Sequence, residues 1–271
     1  MRRLVFDRRA ALAALLGGAA LVAGCAANLP PSPQDLDIFV SGGFTPALEA
    51  LAPAFEATEG ITIRIGKGPS MGTTPNAIPA RLERRERADV VILVREALDR
   101  LAAEGKVDPA TITDLASSRI AMAVKEGAPA PAIATVAQLK STLLAARSIA
   151  YSDSASGVYL STVLFPRLGI AAEMAGKARM IPATPVGEIV ARGEAEIGFQ
   201  QLSELKAVKG IAIVGPIPEE VQKVTMFSAG IVSYSQQPQA AAQLIAHLAS
   251  ARAAPVIRDT GMAPAGPQTQ P

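Results

Sequence analysis

The sequence is poor in the side chains that most often perform nucleophilic or metal-assisted chemistry. Its 271 residues include one cysteine and one histidine, Cys25 and His247. A hydrolase or transferase needs a nucleophile with a base, or a metal held by several ligands. The sequence contains neither a zinc-binding His/Cys cluster nor an acidic calcium loop. It therefore predicts a protein that is not an enzyme and that uses no metal and no cofactor.

Aromatic side chains and net charge are also scarce. The chain has no Trp, three Tyr and seven Phe, which argues against a sugar or nucleobase site built on stacking. The formal charge of +2 includes four arginines and one aspartate that precede Cys25. The remaining residues hold 22 basic and 23 acidic side chains, a net charge of −1. This balance gives no basic surface for nucleic acid.

The N-terminal segment has the features of an export signal. Four arginines precede an apolar run from Ala10 to Ala23, and Cys25 follows the small residues at its end. This pattern is typical of a bacterial lipoprotein signal peptide over 1–25, with Cys25 as the lipidation site. The pair Arg8-Arg9 leaves a twin-arginine export route open. Since no later apolar run reaches 18 residues, we expect membrane attachment through the N-terminal lipid only.

Short apolar runs alternate with helix-length amphipathic segments through most of the chain, which is typical of an α/β fold. A stretch rich in glycine and proline follows residue 125 and predicts a crossing between two lobes. We expect a discontinuous first lobe over 37–125 and 226–265, a second lobe over 126–225, a tether over 26–36 and a flexible tail over 266–271. In the first lobe the apolar runs predict four parallel strands, near residues 37–40, 61–65, 90–94 and 119–124.

Serine and glycine residues follow the predicted strands, at the end of the sheet where ligands bind in open α/β folds. Ser41 follows the first strand, Ser70 the second, and Ser154 and Ser156 follow a strand of the second lobe. Backbone N–H groups at a helix start carry partial positive charge, and hydroxyls add donors. Each serine also suits ordinary helix capping, but their recurrence in both lobes favours an anion site in the cleft.

Two cations also lie just past predicted strands, Lys67 and Arg95. Either one can place a positive charge in the cleft, and an exposed structural role is open for each. A fixed guanidinium would favour a carboxylate ligand through paired hydrogen bonds. A site made of neutral donors alone would suit a small tetrahedral oxyanion, so the sequence leaves both ligand classes open.

Five short motifs, spread over residues 37–264, carry a family resemblance: SGGFTPAL at 41–48, GPS at 68–70, ADVVI at 88–92, PVGE at 185–188 and RGEAEIGF at 192–199. With these motifs the chain resembles the extracytoplasmic solute-binding proteins of ABC transporters, which have the type 2 periplasmic-binding fold. Within that family it is most similar to the molybdate-binding-like branch.

The resemblance implies a set of ligand-binding residues. In the molybdate binders two serines follow the first two strands, and backbone groups of two second-lobe loops and a tyrosine hydroxyl complete the oxyanion shell. Carried over, these positions are Ser41, Ser70, the loop 154–156, Val186 and, at the tyrosine position, Phe199. Phenylalanine lacks the hydroxyl and also suits core packing, and Gln200 beside it offers an amide instead. This departure points to another small anion, such as an organic carboxylate with Lys67 or Arg95 as its partner.

The resemblance also implies a function and a fold. We expect a two-lobed α/β periplasmic-binding fold with hinge-crossing strands. The implied protein is a monomeric, lipid-anchored periplasmic lipoprotein that captures a molybdate-like oxyanion or a small organic carboxylate and delivers it to an ABC permease. The alternative is a ligand-sensing partner of a receptor, or an enzyme on the same fold.

Overall fold

The computed structural model describes residues 35–266. The predicted signal peptide, Cys25 and most of the tether lie outside the described residues, as does the end of the tail. The strands are β1 (Leu36–Val40), β2 (Ile63–Lys67), β3 (Val90–Val94), β4 (Thr113–Ser118), β5 (Ile120–Lys125), β6 (Ile149–Ser152), β7 (Ala178–Ile181), β8 (Ile197–Gln201), β9 (Ile211–Pro216), β10 (Thr225–Ile231) and β11 (Ala263–Pro264).

The α-helices are mostly short. They are α1 (Thr45–Glu59), α2 (Ile78–Glu83), α3 (Arg95–Ala103), α4 (Val136–Ala145), α5 (Ala155–Tyr159), α6 (Phe165–Arg167), α7 (Ala171–Met174), α8 (Val186–Ala191), α9 (Leu202–Lys206), α10 (Pro238–Leu248) and α11 (Ala254–Asp259). A π-helical turn, Leu160–Leu164, joins α5 to α6, and 3-10 turns cover Gly42–Phe44, Pro109–Thr111 and Glu219–Val221. No helix within 35–266 has both the length and the apolar character needed to cross a bilayer.

The first lobe is built on a six-stranded mixed sheet with the order β11-β4-β10-β3-β1-β2. β3 is buried along its whole length, as expected of an apolar run in an inner strand. β1 pairs in parallel with both β2 and β3, and β10 runs antiparallel to β3. Because Val40 pairs with Lys67, the loops that follow β1 and β2 leave the sheet at the same edge.

The second lobe is built on a five-stranded mixed sheet with the order β7-β6-β8-β5-β9. β6 pairs in parallel with β7 and β8. The prediction that residues 119–124 form a fourth parallel strand of the first lobe is wrong, because β5 lies in this sheet and runs antiparallel to β8 and β9. An apolar run shows that a strand is buried but not its direction. The fold is the expected two-lobed α/β periplasmic-binding fold. The lobe limits stay a prediction, and we propose Arg119, where the chain changes sheets, as the first crossing.

Each lobe has its own apolar core. Phe44, Phe227 and Val90 belong to the first core, whereas Phe199 and Leu160 belong to the second. Phe199 has no exposed surface, which corresponds to about 2 to 3 kcal/mol of favourable burial. Its ring therefore stabilises the second lobe.

The short helix α9 lies where the two lobes meet. The backbone N–H of Leu202 donates to the carbonyl of Arg119 (2.8 Å). The Ser203 hydroxyl donates to the carbonyl of Gly43 in the first lobe (2.7 Å). Just before the first residue of α9, the Gln201 side-chain amide donates to the Thr225 hydroxyl at the start of β10 (3.0 Å). These bonds tie the start of α9 to both lobes.

Candidate functional site

A cavity of about 330 Å³ opens between the two lobes. The first lobe contributes the loop after β1, the start of α1 and the end of β2 with the loop that follows it. The second lobe contributes the loops after β6 and β7, the end of β8 and helix α9. The cavity is thus bordered by strand-end loops of both sheets, where open α/β sheets bind ligands.

Four helices begin at this cavity. Thr45 starts α1, Ser154 precedes α5, Pro185 precedes α8, and α9 places Glu204 in its first turn. All four residues line the cavity. The positive ends of four helix dipoles therefore lie at the cavity, and this arrangement favours a negatively charged ligand.

Glu204 is the ionisable group held most closely by its surroundings. The Gln200 amide donates to its Oε1 (2.8 Å). Gly42 of the first lobe packs against the same group so tightly that a Cβ there would overlap Oε1 and lie 2.8 Å from Cδ. The residue is partly exposed and lines the cavity, and the protein around its carboxyl group removes much of its hydration. Glu204 therefore belongs to the second lobe and is covered by the first.

The surroundings of Glu204 change its acidity. Burial raises the pKa of Glu204 from its ordinary 4.5 to about 7, and the Asp153 carboxylate adds to the rise. Hydrogen bonds from the Gln200 side chain and the Gln201 backbone oppose it. A carboxyl group with a pKa near neutrality can both accept and return a proton at physiological pH, which suits general acid–base catalysis.

The other ionisable groups that line the cavity have partners. Lys67 forms an ion pair with Glu49 (2.6 Å), and Glu188 pairs with Arg192 (3.6 Å). The Asp153 carboxylate accepts the backbone N–H of Ala183 (3.1 Å). Among the cavity-lining residues that the structure describes, Lys67 is the one cation.

The loop after β7 is strained. Ala183, which lines the cavity, has a φ of +56°, a conformation that costs an alanine about 1 kcal/mol or more. The hydrogen bond from its N–H to Asp153 holds it there. Strained backbone of this kind is concentrated at functional sites, which supports the assignment of this cavity.

Three of the predicted site residues line the cavity: Lys67, Ser154 and Gln200. Ser41 is buried next to Gly42, and within residues 35–266 its hydroxyl has no hydrogen-bond partner. It therefore has an unused donor at the start of the first-lobe loop.

The remaining predicted residues do not line the cavity and make contacts elsewhere. The Ser70 hydroxyl accepts the N–H of Val94 (3.1 Å), and the Ser156 hydroxyl bonds to that of Ser152 (2.9 Å). The Val186 N–H donates to the Gln200 side chain (2.9 Å). Arg95 pairs with Asp99 and Asp114, and the Phe199 ring lies in the second core.

Sequence reasoning missed Glu204 and its contact with Gly42. The available signal was a glutamate in the first turn of a helix that directly follows a strand. Such a residue faces the same edge of the sheet as the serine loops. What the sequence does not show is that a glycine some 160 positions earlier covers this carboxyl group, and burial is the main cause of its raised pKa.

Comparisons with known proteins agree with the fold and place an enzyme among the relatives. A family model described as "Bacterial extracellular solute-binding protein" matches residues 36–263. An aconitate isomerase from a Pseudomonas species is 54% identical over 229 residues, which cover 84% of this chain and 87% of that protein.

Solved structures show the same fold at low identity. The periplasmic molybdate-binding protein of Azotobacter vinelandii superposes with a TM-score of 0.69 at 20% identity, over 86% of this chain and 100% of that chain. The sulfate-binding protein SubI of Mycobacterium tuberculosis H37Rv gives 0.69 at 18% identity, over 86% and 88% of the two chains. As their names state, both bind small inorganic anions.

The predictions of a transport protein and of no enzymatic activity are wrong, because the relative that is 54% identical is an isomerase. Those predictions depended on the absence of a nucleophile, a suitable histidine and a metal site. Isomerisation by proton transfer does not require these groups, since a carboxyl group with a suitable pKa can act as the general acid–base. Those groups are typical of hydrolases and transferases, and their absence does not exclude an isomerase.

Proposed function

This chain belongs to the bacterial extracellular solute-binding protein family, and from that premise we propose that it is an isomerase that moves a proton within a small polycarboxylate. Aconitate is the proposed substrate, because the related aconitate isomerase shares 54% of the aligned residues. The observation that carries the proposal is the Glu204 carboxyl group, which lines the cleft between the lobes with a pKa raised to about 7.

Binding depends on the few donors that face the cavity. Lys67 takes one substrate carboxylate, which replaces Glu49 as its partner. Ser154 and the start of α5 take the others, because a hydroxyl and the positive end of a helix dipole favour anions. Ser41, next to Gly42, does not line the cavity, and its hydroxyl is buried without a hydrogen-bond partner within residues 35–266. A cavity of about 330 Å³ is at the small end of the range for ligand pockets, which suits a compact acid.

The chemistry follows from the structure of aconitate. Its CH₂ group lies between a carboxylate and the carbon–carbon double bond, so removal of one proton leaves an electron pair that is delocalised over three carbons. Glu204 in its carboxylate form accepts that proton and becomes a carboxylic acid. Return of the proton to the far end of the three-carbon unit moves the double bond by one position, and the new double bond forms in either geometry. One proton leaves one carbon and one arrives at another, so the step balances.

Lobe closure provides the environment for this step. Gly42 and Lys67 belong to the first lobe, whereas Glu204 and Ser154 belong to the second. A substrate that contacts both lobes favours the closed state. Closure keeps Glu204 enclosed and strengthens the interaction of Lys67 with the charge that develops on the substrate.

The test is direct conversion of aconitate by the purified protein. Wild type is expected to interconvert the cis and trans isomers, followed by chromatography, without added cofactor. Glu204→Gln keeps the shape of the side chain but removes the base, and we expect it to lower kcat about 10²- to 10⁴-fold. Calorimetry should show that this variant still binds trans-aconitate.

The matched control is Glu173→Gln, the same change at an exposed position on α7, which should keep wild-type activity. If wild type binds aconitate but converts neither isomer, the proposal is wrong. Full activity of Glu204→Gln would instead remove this residue from the mechanism.

We also propose where the protein works. The family is one of extracellular proteins, and the lipoprotein signal at Cys25 would anchor a monomer to the membrane in the periplasm. Radiolabelled palmitate should be incorporated by the wild type in cells and not by Cys25→Ala. Equal labelling of both would refute the anchor.

A further inference from the structure

Gln200 joins the start of α8 to the carboxyl group of Glu204. It is buried at the end of β8. Its Oε1 accepts the backbone N–H of Val186 (2.9 Å), and its Nε2 donates to Glu204 Oε1 (2.8 Å). Both contacts are within normal hydrogen-bond length.

The orientation of this amide is fixed by chemistry. A backbone N–H can only donate, so the Gln200 side chain has to present its oxygen to Val186. Its NH₂ group then has to point towards Glu204, and an NH₂ group can only donate. Glu204 Oε1 is therefore held as an acceptor whether the carboxyl group is ionised or not.

The other side of Glu204 Oε1 is closed by the first lobe. A Cβ at Gly42 would overlap this same oxygen, so the backbone of the loop after β1 already fills the space next to it. The Gln201 backbone also donates to this carboxyl group. With Oε1 occupied by Gln200 and covered by Gly42, we assign the proton to Oε2.

We propose that Gln200 is a positioning residue that makes Oε2 of Glu204 the oxygen that exchanges the proton with the substrate. This inference rests on the proposed function. Gln200 does not touch the reacting atoms in this scheme. It acts by holding the carboxyl group in one rotamer and by keeping the proton off Oε1.

The test compares two variants in their pH–rate profiles. Gln200→Glu keeps an acceptor for Val186, but two adjacent carboxyl groups then share protons and repel each other when ionised. We expect the midpoint of the kcat/KM profile to rise by more than about one pH unit. Gln200→Leu removes both hydrogen bonds, and we expect kcat to fall about 10²-fold with KM within about threefold. The exposed Gln243→Glu on α10 is the control for the change of charge.

A purely structural role predicts a different result. It would lower thermal stability, and in Gln200→Leu it would change kcat and KM together instead of lowering kcat alone. Other ionisable groups also line the cavity. The first lobe contributes Glu49 and Lys67, and the second lobe contributes Asp153 and Glu188. Their contribution is common to wild type and variants, so the difference in midpoint reports the change at residue 200.

A second measurement separates this inference from the proposed function. Carbon-13 NMR of glutamate carboxyl groups follows the titration of Glu204 without any turnover, and the Glu204→Gln spectrum identifies its signal. If wild type is inactive, the proposed function fails, yet a higher titration midpoint in Gln200→Glu than in wild type still supports the hydrogen-bond arrangement. If wild type is active and both the NMR and the kinetic midpoints are unchanged in Gln200→Glu, the positioning role is refuted.

Discussion

Replacing Glu204 by glutamine should change how the stability of the protein depends on pH. The folded protein holds a proton on Glu204 up to about pH 7, whereas the unfolded chain releases it near the ordinary pKa of 4.5. Between these values the folded state binds more protons than the unfolded state, so the free energy of unfolding falls as pH rises. The stabilising contribution is complete below the unfolded pKa and is lost as pH rises through the folded one.

The size of the effect follows from the two pKa values. A rise from 4.5 to about 7 corresponds to about 3 kcal/mol of unfolding free energy over the whole range. Glutamine has no charge to bury and still accepts from Gln200 through its carbonyl. We therefore expect Glu204→Gln to gain about 2 to 3 kcal/mol relative to wild type between about pH 5 and about pH 8.

The assay is urea unfolding of both proteins at several pH values in this range, with thermal unfolding as a second measure. For a domain of this size the gain corresponds to a rise in the relative Tm of roughly 5 to 10 °C. Because the two proteins differ only at residue 204, taking the difference removes the contributions of all other groups. Parallel stability curves for wild type and Glu204→Gln across the range would show that this carboxyl group is not buried as described, and the reasoning would fail.

Three further substitutions test the site. Lys67→Ala should weaken the binding of trans-aconitate about 10- to 30-fold in calorimetry, because a charge-assisted hydrogen bond is lost; unchanged affinity would exclude Lys67 from the site. Gly42→Ala should lower kcat about 10²-fold, since the new Cβ displaces the Glu204 carboxyl group. The control is Gly176→Ala, where no atom lies within 4 Å of the added Cβ. It should behave as wild type in the same kinetic assay. Arg95→Ala should leave substrate affinity unchanged and cost at most about 1 kcal/mol in urea unfolding, because its ion pairs with Asp99 and Asp114 lie outside the cavity; a tenfold loss of affinity would contradict this placement.

The sequence was informative where a local rule determines the structure. Loops that follow parallel strands meet at one edge of a sheet, so Lys67 and Ser154 could be placed at the cleft before the structure was known. Local rules did not determine the partners of buried polar groups. The Val186 N–H was expected to bind the ligand, but it donates to Gln200, and the Ser70 hydroxyl accepts from Val94. Each of these bonds joins residues at least 14 positions apart.

The same limit explains why the function was predicted wrongly. The sequence contains many glutamates, and the position of Glu204 just after a strand does not show that its carboxyl group is covered, unlike that of the exposed Glu173. The difference comes from Gly42, which covers the carboxyl group from the other lobe. Fold class depends on patterns that recur over many residues and was predicted. The acidity of Glu204 depends on its contact with a distant segment of the chain and was not predicted.

The bonds that hold α9 to both lobes have a mechanical consequence. When one rigid body turns against another, atoms near the axis move least and atoms at the rim move most. Ser203 and Gln201 are hydrogen-bonded to the first lobe, so Glu204, the next residue of α9, is held where the lobes meet, while Lys67 and Ser154 line the cavity from opposite lobes. In the proposed reaction, a displacement of the lobes away from this contact would admit substrate and release product, while Glu204 would keep nearly the same position from one turnover to the next.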